Sequence, residues 1–246
     1  MPISSRKLIY DVRRKTGAFN TGSGNSYTVL DLVSTINEAY EIIVENSIKM
    51  ADEDADIKNA IRKLEILNHP LELQLQENTE GKVYLAKYPS NLYKRLNQQV
   101  LATCVKDCGD LTKTIIPRIV QSDDIQEARK SPYRQANFPW EQLIAYEGAD
   151  GLYIYSDKKL ELKSVLIDYY RKINYIEAPS LVECAGYEYT NYDDKLIVND
   201  VDFDLDNTYI ARKVVDVAVL LNRTDTSSPQ EFQLKLNQIL ATKQLT

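Results

Sequence analysis

The longest regular pattern in the chain runs from Ser26 to Met50. Val29, Val33, Ile36, Tyr40 and Ile43 recur at spacings of 4, 3, 4 and 3, which places them on one face of a helix. Leu32, Ala39 and Ser47 widen or flank that face. Thr28, followed three residues later by Asp31, reads as a capping box in which each side chain serves a free amide of the first turn. No Gly or Pro interrupts Asn25 to His69. A stripe of this kind needs other helices to cover it. An acidic connection, Ala51 to Asp56, supplies an aspartate to cap a second helix over residues 56–67, with Ile57, Ile61 and Leu64 as its stripe. The short connection predicts an antiparallel helix hairpin.

Pro70 ends this helical pattern and the period changes. Leu71-Glu72-Leu73-Gln74-Leu75-Gln76 alternates strictly, as a half-buried strand does. With the turn at Asn78–Gly81 and a second strand over Val83–Lys87, residues 71–87 read as a hairpin. Further strands are predicted over 93–105, 111–120, 141–147, 152–156 and 162–172, with a short capped helix at Ser122–Lys130. In the clearest strand, Val165, Ile167 and Tyr169 share one face and Leu166 and Tyr170 the other. Eleven of the sixteen Gly and Pro residues fall between Pro70 and Gly186, as a turn-rich β region requires. Val201, Phe203 and Leu205 then alternate with Asp200, Asp202 and Asp204. Asp206 or Asn207 can cap a third helix with the stripe Ile210, Val214, Val217, Leu221. Pro229 suits the first turn of a last helix carrying Phe232, Leu236 and Ile239.

Two helices thus precede the β region and two follow it, and no pair alone covers its stripes. The economical solution is an α+β fold: a four-helix bundle formed by both chain ends, with an inserted antiparallel β domain. The expected division is an N-terminal arm and loop over 1–25, a bundle from 26–69 and 200–246, and a β domain over 70–199. The arm is predicted to form a short helix over residues 4–16 with Leu8, Ile9 and Val12 as its apolar side, and it is the most basic piece of the chain. It reads as a solvated arm, or as one that docks on an acidic neighbour.

Composition adds limits. The chain has 246 residues, 43% of them hydrophobic and 27% charged, with a formal net charge of −6. That is ample for a core, and a freely DNA-binding protein would be basic. No apolar run approaches the roughly 18 residues of a membrane span, and the first residues have no apolar stretch of the signal-peptide kind. Three cysteines give no disulfide framework, and a reducing compartment fits. The 17 tyrosines stand out against one Trp and 4 Phe. Seven of them lie between Tyr169 and Tyr209, and Tyr is enriched where surfaces meet.

The candidate chemistry is sparse. His69 has no motif partners and reads as structural. Cys104 and Cys108 lack the spacing and the ligand count of a zinc site, and Cys104 lies in an apolar strand, so a buried thiol is the better reading. Gly17, Gly22 and Gly24 are not followed by Gly-Lys-Ser/Thr, so they make no phosphate loop. Asp200, Asp202 and Asp204 resemble the start of a calcium loop, but Leu205 stands where Gly belongs and Ala211 where the bidentate Glu belongs. They read instead as a solvated acidic face. Tyr169-Tyr170-Arg171-Lys172 has the composition of a single-strand nucleic-acid platform but the pattern of a strand. No catalytic, cofactor-binding or metal-binding residue is identified, and no cofactor is expected.

The segment order resembles the neck proteins of tailed bacteriophages, the head–tail adaptor or ring proteins beneath the portal, and is most similar to the ring proteins of crAss-like and related Bacteroidetes phages. The likeness is carried by five pieces that together touch most of the chain. They are Leu8-Ile9-Tyr10-Asp11-Val12-Arg13 with Gly17; Tyr27 to Ala39, including Ile36-Asn37-Glu38-Ala39; and Tyr88-Pro89-Ser90-Asn91-Leu92. The other two are Val165 to Lys172, where such proteins continue with Pro and this chain has Ile173, and Asp202-Phe203-Asp204-Leu205 leading into Ile210 to Leu221. It is a match of pattern rather than of a signature motif. The resemblance implies a non-enzymatic virion protein made in the host cytoplasm and located in the neck. It also implies a homo-oligomeric ring, expected to be twelvefold, that contacts the portal and other neck or tail proteins. DNA would only pass through its channel, and no membrane is involved. The acidic net charge suits a channel in which DNA slides. The expected interface residues are Arg6, Lys7, Arg13, Arg14 and Lys15 in the arm and Tyr187, Tyr189 and Tyr192 in the Tyr-rich segment. A tail-associated binding module, or an enzyme with a site assembled from scattered residues, are the alternatives.

Overall fold

The computed structural model describes residues 3–17, 27–78, 83–104, 111–131, 133, 135–137, 139–156, 160–182, 189–190, 195–205, 207–222 and 229–241, without the side chains of 66–72, 74, 77 and 78. The chain is α+β and divides into two compact units. One comprises Met1–Lys63 with Ile173–Thr246, and the other Leu64–Lys172.

The first unit is helical: α1 (Ser5–Thr16), α2 (Val29–Met50), α3 (Ala55–Ile61), α5 (Thr208–Asn222) and α6 (Pro229–Ala241). α2 begins where its sequence says it should. Asp31 N donates to Thr28 Oγ1 at 3.1 Å, and Thr28 N to Asp31 Oδ2 at 3.0 Å. Asp54 caps α3 and Asn207 caps α5 through their side-chain oxygens. The stripes of α2 and α5 are buried together, with Leu32, Ile36, Val214 and Val217 at 0% exposure. Tyr27 OH donates to the carbonyl of Asn222 at 2.8 Å, which satisfies one of the free carbonyls at the end of α5.

The membership of this helical layer differs from the expectation at both ends. Residues 5–16 are not a solvated arm: α1 packs on α5 and α2 and buries Leu8, Ile9 and Val12. α6 packs along α5 but has no buried residue. Phe232, Leu236 and Ile239 are half-buried, and Leu234 points elsewhere at 58% exposure. The stripe of α1 is compact, whereas that of α6 is diluted by Gln, Lys and Asn. Burial follows the stripe rather than the helix length.

The second expected helix also ends early. α3 stops at Ile61, a single 3₁₀ turn covers Arg62–Leu64, and β1 (Glu65–Asn78) starts before Pro70. The pairing of β1 with β8 (Leu160–Arg171) shifts register between Ile66 and Leu71. Pro70, which has no N–H to give a ladder, falls in that irregular stretch.

The second unit contains β1, β2 (Val83–Lys87), β3 (Leu92–Cys104), β4 (Thr112–Ile115), β5 (Arg118–Ile119), α4 (Ile125–Lys130), β6 (Ile144–Gly148), β7 (Gly151–Tyr155) and β8. The strand order is β4-β3-β8-β1-β2-β7-β6-β5. It forms two sheets that share β1. The outermost strands β4 and β5 are separated by Ile116 and Pro117 alone, so the two edges lie within about 11 Å of chain and the order must curl back on itself. The inner faces meet in one core, with Val100, Ala102, Val165 and Ile167 from one sheet and Ala86, Ala145, Leu152 and Ile154 from the other. All pairs are antiparallel except β5–β6, which is parallel. That exception follows from its crossover through α4, since a parallel pair cannot be joined by a tight turn.

In β8 the inward positions are Leu160 and Leu162, then Val165, Ile167 and Tyr169. The parity changes because β3 residue Leu101 faces Ser164 while Ala102 faces Leu162, leaving Lys163 as an extra residue. Such a bulge re-aims every side chain beyond it.

The expected β domain of 70–199 therefore differs from the observed β unit at its C-terminal end. Residues 173–199 belong with the helices. Glu177 and Val201 form an isolated antiparallel bridge, and Ile176 is held by α2, as described next.

Candidate functional site

Two surfaces of the helical unit carry organised charge. The first is the outer side of α1. Gly17 closes this helix at φ 73°, and its N–H bonds the carbonyls of Arg13 and Arg14. A left-handed residue after the last turn is a role suited to glycine. Arg13, Arg14 and Lys15 occupy that last turn, where cations complement the helix dipole. Part of the basic character of this segment is thus a local helix-ending device.

Three of the five predicted basic residues are engaged within the chain. Arg6 Nε donates to Asp200 Oδ2 at 2.9 Å and its Nη2 to Ser180 Oγ at 2.9 Å. Lys15 Nζ donates to Asp216 Oδ1 at 2.5 Å. Arg14 pairs with Asp11 on its own helix at 3.5 Å. Lys7 and Arg14 are exposed and Arg13 half-buried. Tyr10, 56% exposed, lies between Lys7 and Arg14 on the same stripe, since positions i, i+3 and i+7 align. A cleft of about 360 Å³ between α1 and α5 brings Arg212 to Lys7, Arg14 and Lys15. Sequence reading did not single out Arg212, because it belongs to a different helix some 200 residues away in the chain.

The second surface is a groove of about 500 Å³ between the first half of α2 and Tyr175, Glu177, Tyr189 and Thr190. Asn37, in the middle of α2, holds the segment around Ile176 in place. Its Oδ1 accepts from Ile176 N at 2.9 Å and its Nδ2 donates to Ile176 O at 3.1 Å. Asn is a poor interior helix residue because its side chain competes for backbone groups. Here it uses that tendency on another segment. Tyr175 OH donates to the carboxylate of Glu41. Leu30, Glu38 and Glu41 form the rim and are exposed. Glu177 and Tyr189, 7% exposed each, lie deeper. Burial first, and the hydrogen bond to Glu177 second, push the Tyr189 phenol well above its ordinary value. Tyr189, an expected interface residue, lines the groove and is buried in it. Its ring is apolar and its hydroxyl has partners in Glu177 and Ala178 N. Tyr187 and Tyr192 lie outside the described residues.

The three alternating aspartates stay solvent-accessible but are engaged. Each binds a different segment. Asp200 accepts from Ser180 and Arg6, Asp202 from Ser5 N at 3.0 Å, and Asp204 from Asn174 N at 2.7 Å and Nδ2 at 2.9 Å. Their partners are protein donors throughout. Among the described residues no group of three or more His, Cys, Asp or Glu is placed to hold a metal ion. Cys104 is buried, and Cys108 and Cys184 lie outside the described residues. Tyr169 and Tyr170 are buried, donating to Asn91 and Glu65, so their rings offer no stacking platform. Among the described residues no helix is long and apolar enough to cross a membrane.

No protein-family model matches the chain, and no curated protein matches it.

Proposed function

We propose that the chain is a structural, non-enzymatic subunit of a tailed-bacteriophage neck. It assembles with copies of itself into a ring between portal and tail, and DNA passes through the channel. The observation that carries this reading is the helical unit built from both ends of the chain, with the β unit inserted between them in sequence, and organised charge of both signs on the helical surface. The same segments carry the resemblance to neck ring proteins: α1, the first half of α2, and Asp202 to Leu205 running into α5. The four-helix closure belongs to this proposal. α3 and α6 complete the bundle in the assembled ring, where a neighbour covers the half-buried side of α6 bearing Phe232, Leu236 and Ile239.

A second reading is favoured by one observation. In the β unit, Tyr133 and Trp140 are 79% and 61% exposed, and exposed aromatic rings are common anchors of binding surfaces. That would suit a tail-associated binding module. A phage lacking this chain decides between them. The neck reading predicts filled heads and separate tails that fail to join. Normal tailed particles that only fail to attach to cells would support the binding module instead.

A further inference from the structure

The outer stripe of α1 and the acidic groove beside α2 share no residue. The groove is lined by residues of α2 with Tyr175, Glu177, Tyr189 and Thr190, and the cleft that includes Lys7 and Arg14 of the stripe by α1 and α5 with Ile3. Lys7, Tyr10 and Arg14 are exposed on α1, Lys7 and Arg14 at the mouth of the cleft shared with α5, and the other side of the helix is fixed by the buried Leu8, Ile9 and Val12. The groove is concave, with Glu38 and Glu41 at its mouth, Glu177 in its floor, and Leu30, Val33 and Tyr175 as apolar lining. Leu30 and Tyr175 are 49% and 44% exposed, a large apolar investment at an acidic rim. Among the described residues Lys7 and Glu38 form no ion pair.

We infer that the α1 stripe of one copy seats in the α2 groove of the next, a heterologous contact between copies of this chain. Lys7 and Arg14 face Glu38 and Glu41, and the Tyr10 ring lies over Leu30 and Tyr175. This is the helix-in-groove mode of recognition, with anchors at i, i+3 and i+7. Opposite charge sets the partner and the register, while the apolar lining contributes the buried area. Because ridge and groove are different patches, each copy keeps one of each to offer, so the contact propagates head to tail instead of pairing two copies, and it makes a ring where the rotation closes. The inference rests on the ring reading and names the surfaces that make it.

The test is a charge exchange read by native mass spectrometry and negative-stain microscopy. The purified wild-type chain is compared with Lys7→Glu/Arg14→Glu, with Glu38→Lys/Glu41→Lys, and with an equimolar mixture of the two variants. Each variant alone presents like charges on both patches and should lose assembly. The mixture restores both contacts and should recover it, as should the chain with all four exchanges. Glu38→Lys alone, which leaves the Tyr175–Glu41 bond intact, guards against a misfolded double variant, and circular dichroism verifies each fold. Wild-type rings with both variants still assembling would overturn this interface while leaving the ring reading standing. A wild-type chain that stays monomeric at every concentration and salt tested would overturn the ring reading and this contact with it. Variants that assemble normally but no longer bind a portal would assign the stripe to that partner, against the inference.

Discussion

Asp202 caps a helix that begins 197 residues before it: its Oδ1 accepts from Ser5 N at 3.0 Å. The residue in the usual capping position, Ser4, has extended backbone angles but makes no side-chain cap. The two chain ends are thus joined at the first turn of α1, beside the Ile3–Phe203 bridge. An Asp202→Ala substitution should cost about 1–2 kcal/mol, the range of an ordinary N-cap loss. Asp202→Asn, which keeps an acceptor, should recover most of it. Urea unfolding of the three proteins measures this. Equal stability for the alanine variant and the wild type would show that Ser4 or water replaces the cap without penalty.

Asn37 should prove as important to the groove as any residue in its lining. Removing its amide in Asn37→Ala strands the N–H and carbonyl of the buried Ile176. An unmet buried backbone group costs about 1–3 kcal/mol. Hydrogen exchange at residues 174–178 should accelerate while α5 stays protected. Unchanged exchange there would mean that the Glu177–Val201 bridge holds the segment unaided.

Among the described glycines of the β unit the least tolerant is Gly151. It has φ 151°, and a Cβ built on it would lie 2.2 Å from the carbonyl oxygen of Ala86 in β2. The obstacle is backbone in a paired strand and cannot swing away. Gly151→Ala should lose more than about 1 kcal/mol, seen as a lower melting temperature. Gly148→Ala meets the Tyr153 ring instead, a side chain that can move, and should cost less. An identical melting temperature for Gly151→Ala would refute the close approach.

Buried packing at the α2–α5 contact should dominate overall stability. Ile36 and Val217 are fully buried. Ile36→Ala should cost about 2–5 kcal/mol, and Asp at either position should abolish folding, because a buried unpaired charge has no compensation. Denaturant titration of the alanine variant, and solubility of the aspartate variants, check this. A soluble, cooperatively folded Ile36→Asp chain would contradict it.

The Arg6–Ser180–Asp200 cluster sets a pH dependence whose sign is fixed. Partial burial pushes the Asp200 carboxyl up. The hydrogen bonds from Ser180 and Arg6, with the Arg6 charge, outweigh it and hold the group below its ordinary value. A depressed folded value means stability that is present above the unfolded aspartate range, about pH 4. It is lost as the pH falls through the lower folded value. Tyr189 acts in the opposite direction. Its raised phenol contributes stability below about pH 10 that is lost as the pH rises through the folded value. Asp200→Asn should flatten the acid limb of the stability curve and Tyr189→Phe the alkaline limb, both followed by thermal melts from pH 2 to 11. Limbs unaltered by the substitutions would remove both groups from the account.

The elements that follow a local period were legible in the sequence. Val29 to Ile43 announced α2, the Thr28–Asp31 pair its start, and the Leu71–Gln76 alternation β1. The parity change from Leu162 to Val165 was also in plain view and marks the bulge in β8. What escaped is what depends on distant partners. Asp200, Asp202 and Asp204 alternate with buried apolar residues and so look solvated, yet their donors lie in Arg6, Ser5 and Asn174. Asn37 looks like an ordinary polar position on a helix and carries no local sign that Ile176 will come to it. The stripe Leu8, Ile9 and Val12 is visible in the sequence, but nothing local says that three apolar residues suffice to bury so charged a segment. Of the predicted basic residues, Arg6, Lys7, Arg14 and Lys15 are all exposed, and Arg6, Arg14 and Lys15 also pair within the chain; charge alone does not say whether a cation faces a neighbour or its own chain.

The central claim is that this chain builds a ring, and mass is its most direct measure. Native mass spectrometry of the purified wild-type protein near neutral pH and at low salt should give one dominant closed oligomer, expected to be twelvefold, whose population falls as salt rises. The mass of a single chain, 28.2 kDa, at every concentration and ionic strength would contradict the account.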